Sequence, residues 1–223
     1  MSENCYNFLT HYMPTFPPSI AAAIRNRLAA QRKVRVWGPE DFADLGPRTA
    51  VDQVLHRLVA AGKLRRIARG FYDVPGTNRL TGKPTSPDHR AVIDALARKN
   101  NVRVIVDGIT AANDLGLTDA VPARITVFTD ARLRPITLGK LTIEFRHASP
   151  SRLYWAARPA MRFVQALEWL RDMLPSDDGQ LRRRLISILR DPDHGRAIRD
   201  DLCTRLSALP EWMREFVREL LRE

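Results

Sequence analysis

The stretch KLRRIARG concentrates basic side chains, with four cations in seven residues: Lys63, Arg65, Arg66 and Arg69. Like charges at this density repel one another, and the phosphates of a nucleic acid would neutralise them. Arginine also presents a planar fork of donors that matches phosphate oxygens and guanine edges. The cluster therefore favours binding to the phosphate backbone of a nucleic acid. From these residues alone, a solvated basic turn remains the alternative.

The segment before the cluster predicts an amphipathic helix that Pro47 starts and Gly62 ends. Its apolar residues recur at helical spacing, and they are Val51, Val54, Leu55, Leu58 and Val59. The opposite face carries Arg48, Thr49, Asp52, Gln53, His56 and Arg57. Every amphipathic helix has a polar face exposed to solvent, so this face alone does not indicate a function.

In nucleic-acid binding, the residues of this polar face have different expected roles. At the N-terminal end of the helix, Arg48 is suited to a guanine edge and Gln53 to an adenine, with Thr49 beside them. His56 and Arg57 come one turn later and are expected to meet phosphates. We therefore predict a DNA-reading helix.

The neighbouring elements place this helix in a known arrangement. Ser19 is the expected N-cap of a first helix, GPEDFADLG predicts a very short second one, and the runs KLRRI and FYDV predict a hairpin that turns at Gly70. Helix, short helix, helix and hairpin is the order of a winged helix-turn-helix, in which the hairpin lies against the DNA backbone. Tyr72 is expected to pack, with its hydroxyl available to a phosphate, and Phe71 is expected to cover the apolar stripe of the helix.

The remaining sequence predicts a second, mixed domain. Residues 75–87 are rich in Pro, Gly, Ser and Thr, which is typical of a linker. Helical and β-branched segments then alternate, with a hairpin expected at Gly139 and Lys140, and the chain from Ser151 onward reads as helical. We predict an α+β protein with a winged helix-turn-helix domain over residues 1–80 and an α+β domain with a helical tail over residues 81–223.

Charge and composition bound the partners. The net charge is +11, and all of it lies in the first 160 residues, because acidic and basic residues are equal in number beyond them. An excess of this kind indicates a polyanionic partner. The two cysteines, Cys5 and Cys203, are far apart, and neither a membrane span nor a secretion signal is recognisable, so a cytoplasmic location is expected.

An enzymatic reading has little sequence support. Glycine-rich phosphate loops, nucleophile elbows and paired metal-binding histidines are absent, so no catalytic residue, metal or cofactor is predicted. The remaining possibility is a metal-dependent nucleic-acid-processing enzyme that uses Asp107, Asp130 and Glu144. Asp107 and Asp130 follow predicted strands, where aspartate is common as a cap or turn residue.

The run GPEDFADLGPRTAVDQVLHRLVAAGKLRRIARGFYDVP resembles the N-terminal domain of AbiEi-family antitoxins, which belong to type IV toxin-antitoxin systems. The resemblance continues through SPDHRAVIDALARKNN, GITAANDLGLTDAVPARITVFTD and ITLGKLTIEFRHASP, so it covers about Val36 to Pro150. The helical tail is much less distinctive. Only Arg48 to Arg57 and Lys63 to Tyr72 match the DNA-binding motif closely enough for residue roles to be transferred.

The resemblance implies a repressor that binds inverted repeats in double-stranded DNA upstream of its own operon. It also implies that the C-terminal part antagonises a co-encoded nucleotidyltransferase toxin, which would be the enzyme of the pair. A stand-alone winged-helix regulator without a toxin is the alternative within the same class.

Overall fold

The computed structural model describes residues 19–30 and 35–223. Its architecture is mixed α+β, as the sequence predicts. The expectations for Cys5 and for the segment at the start of the chain fall outside the described residues.

The part that we call the N-terminal unit covers the described residues up to Val74. Its elements in chain order are α1 (Ile20–Ala30), β1 (Val36–Trp37), a 3-10 helix (Pro39–Leu45), α2 (Arg48–Ala60), β2 (Arg65–Ala68) and β3 (Phe71–Asp73). The strands form an antiparallel sheet in the order β1-β3-β2. The sequence predicts the hairpin but not β1, because a pair of residues is too short to carry a period-2 pattern.

Local sequence explains the two longer helices of this unit. The Ser19 hydroxyl accepts a hydrogen bond from the amide of Ala22 and so starts α1, as expected. The apolar stripe of α2 is buried at Val51, Leu55 and neighbouring positions, together with Trp37 and Phe42, whose rings stack 5.2 Å apart. This small core holds α1, the 3-10 helix and α2 together.

The part that we call the C-terminal unit begins at Asp88. Its first half comprises α3 (His89–Asn100), β4 (Val104–Val106), α4 (Gly108–Asp114), β5 (Arg124–Thr129), β6 (Ile136–Leu138) and β7 (Leu141–His147). The strand order is β4-β5-β7-β6, with β5 and β7 parallel and the other pairs antiparallel. The predicted hairpin at Gly139 and Lys140 is confirmed, since Leu138 pairs with Leu141.

The chain then forms α5 (Met161–Leu170), α6 (Gln180–Leu189), α7 (Gly195–Thr204) and α8 (Glu211–Arg222), with short 3-10 turns at Leu174–Ser176 and Leu206–Ala208. The sequence singles out three of these helices but not α7, whose apolar anchors Ile198 and Leu202 stand among polar residues. Gly108 lets α4 approach α5 closely, because a Cβ there would lie 2.5 Å from the Cβ of Trp169. No helix in the described ranges is long and apolar enough to cross a membrane.

The two units share a core. Val36 and Phe71 are buried in the hydrophobic cluster of the C-terminal unit, and Ile67 and Ala68 pack against it. Polar contacts join the same surfaces: Lys99 donates to the Gly70 carbonyl at 3.1 Å, and Arg98 donates to the Val36 carbonyl at 3.2 Å. A division at residues 80 and 81 therefore stays a prediction, since the hairpin belongs structurally to both sides.

A buried carboxylate ties three helices of the C-terminal unit together. The Asp114 side chain on α4 is only 3% exposed and lies 3.1 Å from His89 Nε2 and 3.0 Å from Arg162 Nε. Burial by itself would raise the pKa of Asp114, but the hydrogen bonds and charges of His89 and Arg162 outweigh it and lower that pKa. Asp114 is therefore held as a carboxylate that braces α3 and α5.

We expect Asp114→Asn to lower the free energy of unfolding at pH 7 by about 2–4 kcal/mol, because it removes the buried carboxylate that pairs with the half-buried side chains of His89 and Arg162. A carboxylate with a lowered folded pKa stabilises above its unfolded value of 3.8, and this stabilisation is lost as the pH falls through the folded pKa. The difference from the parent protein should therefore shrink below about pH 4 in urea titrations. Asp119→Asn, at an exposed position in the next loop, is the control; equal effects of the two substitutions at pH 7 would contradict the bracing role.

Candidate nucleic-acid interface

The polar face of α2 is exposed as predicted. Thr49, Gln53 and His56 lie at i, i+4 and i+7 on this face, and all three are exposed, as is Arg57. Among the described residues, the side chains of Gln53, His56 and Arg57 have no hydrogen-bond or ion-pair partner. The face is therefore free to contact a ligand.

Arg48 lies at the first position of α2 and pairs with Asp52 one turn later, at 3.0 Å. Both side chains are about half exposed or more, and exposed pairs of this spacing contribute only about 0.3–0.5 kcal/mol. Pro47 precedes the helix, and no side chain among the described residues caps its first amides. Free amides and a weakly held arginine at a helix N-terminus favour an anion there.

The hairpin carries cations that the protein does not neutralise. Lys63, Arg66 and Arg69 are exposed, and within residues 19–30 and 35–223 none of them has a carboxylate partner. Gly70 adopts the left-handed conformation at the turn, with φ 73°, as the predicted hairpin requires. Together with the exposed residues of α2 these side chains form what we call the basic surface: Arg48, Thr49, Gln53, His56, Arg57, Lys63, Arg66 and Arg69.

Arg65 departs from the sequence expectation that it binds phosphate. Its Nε and Nη2 donate to the two oxygens of Asp73 at 3.0 and 2.5 Å, and its Nη1 donates to the Thr85 carbonyl at 2.6 Å. Asp73 is 5% exposed, so the pair is partly buried. Arg65 therefore neutralises an internal carboxylate and fixes the loop after the hairpin, and we leave it out of the basic surface.

Strand alternation explains why adjacent arginines differ. Successive side chains of a strand point to opposite faces of the sheet. Arg65 is paired in register with Asp73, whereas Arg66 is paired with Tyr72, which packs against the core of α2. Arg65 therefore lies on the sheet face that meets the C-terminal unit, and Arg66 lies on the face that meets α2.

The two aromatic residues of the hairpin divide in the same way. Tyr72 is half-buried against the small core, in agreement with a packing role. Phe71 was expected to cover the apolar stripe of α2 but is instead buried in the larger core, with Lys99 Nζ 4.6 Å from its ring centroid. The sequence expectation for Phe71 was wrong because its partner, α3, lies beyond the linker.

The carboxylates of the N-terminal unit are all used in ion pairs. Every acidic residue described between Ile20 and Leu80 has a basic partner: Asp44 pairs with Arg27, Asp52 with Arg48, Asp73 with Arg65, Glu40 with Lys99, and Asp41 with Arg35 and Arg98. None of these carboxylates neutralises Lys63, Arg66 or Arg69.

Each of the three acidic residues considered for catalysis has a hydrogen-bond or ion-pair partner within the protein. Asp107 caps α4, since its carboxylate accepts from the amides of Thr110 at 2.9 Å and Thr126 at 2.6 Å. Asp130 pairs with Arg103 at the opposite end of β5, and Glu144 pairs with Arg124. In the described part of the chain, no group of three or more His, Cys, Asp or Glu residues is arranged to hold a metal ion.

Adjacent arginines should respond differently to truncation. Arg65→Ala leaves the Asp73 carboxylate buried without its partner, so we expect a loss of about 3 kcal/mol in the free energy of unfolding. Arg66→Ala removes an exposed side chain and should change that free energy by less than about 0.5 kcal/mol. Urea unfolding of the full chain measures both, and equal losses would contradict the assignment of the two arginines to opposite faces.

Comparison with known proteins gives one match. A search of curated proteins finds no similar sequence. The family model for DUF6088, described as a family of unknown function, matches residues 23–194. That range includes α2, the hairpin and the whole four-stranded sheet. The chain therefore belongs to the DUF6088 family.

Proposed function

We propose that the chain is a DNA-binding transcriptional repressor whose N-terminal unit acts as a winged helix-turn-helix. The observation that carries this proposal is the set of hairpin cations without carboxylate partners in the described structure, next to the exposed polar face of α2. The order of the elements also supports the proposal. The helix α2 is followed by the hairpin of β2 and β3, and the short strand β1 pairs with β3 to complete a three-stranded sheet. Double-stranded DNA is the polyanion that such an arrangement fits.

In the proposed complex, the N-terminal end of α2 enters the major groove. Arg48 and Gln53 then read base edges, and the weak pair between Arg48 and Asp52 is readily exchanged for a guanine contact. The phosphates of the DNA backbone are contacted by His56, Arg57 and Lys63 after the base-reading end of α2. The hairpin binds further phosphates through Arg66 and Arg69. Tyr72 keeps its packing role and supports the hairpin from behind.

A salt titration tests the hairpin cations. The double variant Arg66→Ala/Arg69→Ala should bind a DNA fragment from upstream of its own gene more weakly. The slope of log K against log salt should become shallower by about 0.9 for each phosphate that the variant no longer neutralises. Fluorescence anisotropy at several salt concentrations measures both quantities with the full chain.

The matched control is Arg183→Ala/Arg218→Ala, which removes the same charge from exposed positions on α6 and α8. This control should keep the parent slope. If both double variants lose the same affinity and slope, general charge drives binding and the basic surface has no special role.

We further propose that the repressor is the antitoxin of a type IV toxin-antitoxin system and acts in the cytoplasm. The support is the resemblance of Val36 to Pro150 to AbiEi-family antitoxins, which extends beyond the DNA-binding elements into the sheet of the C-terminal unit. The partner would be a nucleotidyltransferase-type toxin encoded beside this gene, and no catalytic step is assigned to this chain.

Co-expression tests the antitoxin role. A neighbouring nucleotidyltransferase-type gene should arrest growth when expressed alone, and the parent chain expressed from an unrelated promoter should restore growth. Arg66→Ala/Arg69→Ala should restore growth equally, because the resemblance implies that the C-terminal part neutralises the toxin. Absence of such a neighbouring gene, or failure of the parent chain to restore growth, would favour a regulator without a toxin partner.

A further inference from the structure

A cavity of about 300 Å³ lies in the C-terminal unit, away from the basic surface. It opens to solvent and lies between the start of α3, α4, and the beginnings of β5 and β7, and its lining includes His89, Thr110, Asn113, Ile125, Lys140 and Leu141. This volume is at the lower end of the range of about 300–1,000 Å³ typical of small-molecule sites. The whole cavity lies within the range matched by the family model.

Thr110 gives the first indication of a ligand. The residue is 1% exposed, and its hydroxyl has no hydrogen-bond partner among the described residues. Its backbone amide is already used in the cap formed by Asp107. A buried hydroxyl without a partner costs about 1–3 kcal/mol, and such groups in folded proteins call for a specific explanation. A polar group of a bound molecule would supply the missing partner.

Lys140 gives the second indication. It lies at the exposed turn between β6 and β7, lines the cavity, and has no carboxylate partner in the described part of the chain. The buried carboxylate of Asp114 is bound to His89 and Arg162. A cation at the cavity without an internal counter-ion favours a negatively charged ligand.

His89 and Asn113 are held in place by their own partners. His89 Nε2 is bonded to the buried Asp114, which leaves its other ring nitrogen for a ligand. Asn113 donates through Nδ2 to the Thr118 carbonyl at 3.3 Å, so its side-chain oxygen remains an acceptor. These fixed polar groups are of the kind that orient a ligand in an otherwise apolar pocket.

The walls define the body of the ligand. Ile125 and Leu141 contribute apolar surface inside, and Val121, which is 82% exposed, stands at the rim. A large aliphatic side chain this exposed beside a cavity gains from apolar contact when the cavity is filled. A compact hydrophobic ring or chain would cover these apolar side chains, whereas a free inorganic anion would leave them exposed to water.

We propose that this cavity binds a small organic carboxylate with a hydrophobic body, whose carboxylate meets Lys140 and whose second polar group bonds to the Thr110 hydroxyl. The site is separate from the proposed DNA-binding function and does not depend on it. Asp114 acts here as a positioning residue, because it reaches the ligand only through His89.

The probes are benzoate, its neutral analogue benzamide, and 4-hydroxybenzoate, titrated into the full chain and followed by the backbone amide resonances of Thr110 and Leu141. Benzoate should cause saturable shifts and bind about tenfold more tightly than benzamide, the gain expected of one charge-assisted hydrogen bond. 4-Hydroxybenzoate should bind more tightly than benzoate, because its hydroxyl can pair with Thr110.

Two variants separate the ligand contacts from effects on folding. Lys140→Gln should weaken benzoate about tenfold and leave benzamide unchanged, while the control Lys83→Gln, at an exposed lysine of the loop before α3, should match the parent protein. Thr110→Val should keep or raise the melting temperature of the ligand-free protein, because it removes an unpaired buried hydroxyl, and it should abolish the advantage of 4-hydroxybenzoate.

The proposal is overturned if none of the three probes causes saturable shifts up to about 10 mM. It is also overturned if Lys140→Gln and Lys83→Gln have the same effect on benzoate. A marked loss of stability in Thr110→Val without ligand would show that the hydroxyl has an internal partner, and this would remove the main support for the site.

Discussion

The alternation of side chains along β1 and β3 of the three-stranded sheet is the constraint on which the rest of the structure depends. Trp37 and Tyr72 are paired neighbours on one face and pack against the core of α2. Val36 and Phe71 lie on the other side and belong to the core of the C-terminal unit. A shift of one residue would exchange these faces and destroy both cores. The sheet therefore packs against both cores, and its register fixes the position of the hairpin relative to both units.

The two faces of this sheet also separate the charged side chains of the hairpin. Arg65 shares a face with Asp73 and is drawn into the contact between the units, where the Thr85 carbonyl completes its hydrogen bonds. Arg66 lies on the α2 side and stays exposed. Lys99 reaches the turn from α3 and binds the Gly70 carbonyl, so the tip of the hairpin is held by a residue far away in sequence. A rigid hairpin presents its cations in a defined place and loses less conformational entropy when it binds.

How much of this could be read from the sequence depends on the range of the interactions. The stripe of α2, the cap at Ser19 and the turns at Gly70 and Gly139 are local signals, and the structure has all of them where they were predicted. The pairing of Arg65 was missed even though Asp73 is close in sequence, because the pairing depends on register and on burial of the sheet face. Phe71 and the Thr110 cavity were missed because their surroundings come from distant segments.

The placement of carboxylates explains why the hairpin and the free face of α2 keep cations that the described part of the chain does not neutralise. Glu40 and Asp41 face α3 and pair with Lys99 and Arg98, and Asp73 faces the same unit beside Arg65. The acidic residues of the N-terminal unit are thus used largely at its contact with the C-terminal unit. Among the described residues, Lys63, Arg66 and Arg69 of the hairpin and Arg57 of α2 remain without internal counter-charges, and Arg48 has only its exposed pair with Asp52. Solvent ions or an external polyanion must therefore relieve the repulsion between these cations. Such a set of unneutralised cations is expected of a site that binds phosphates.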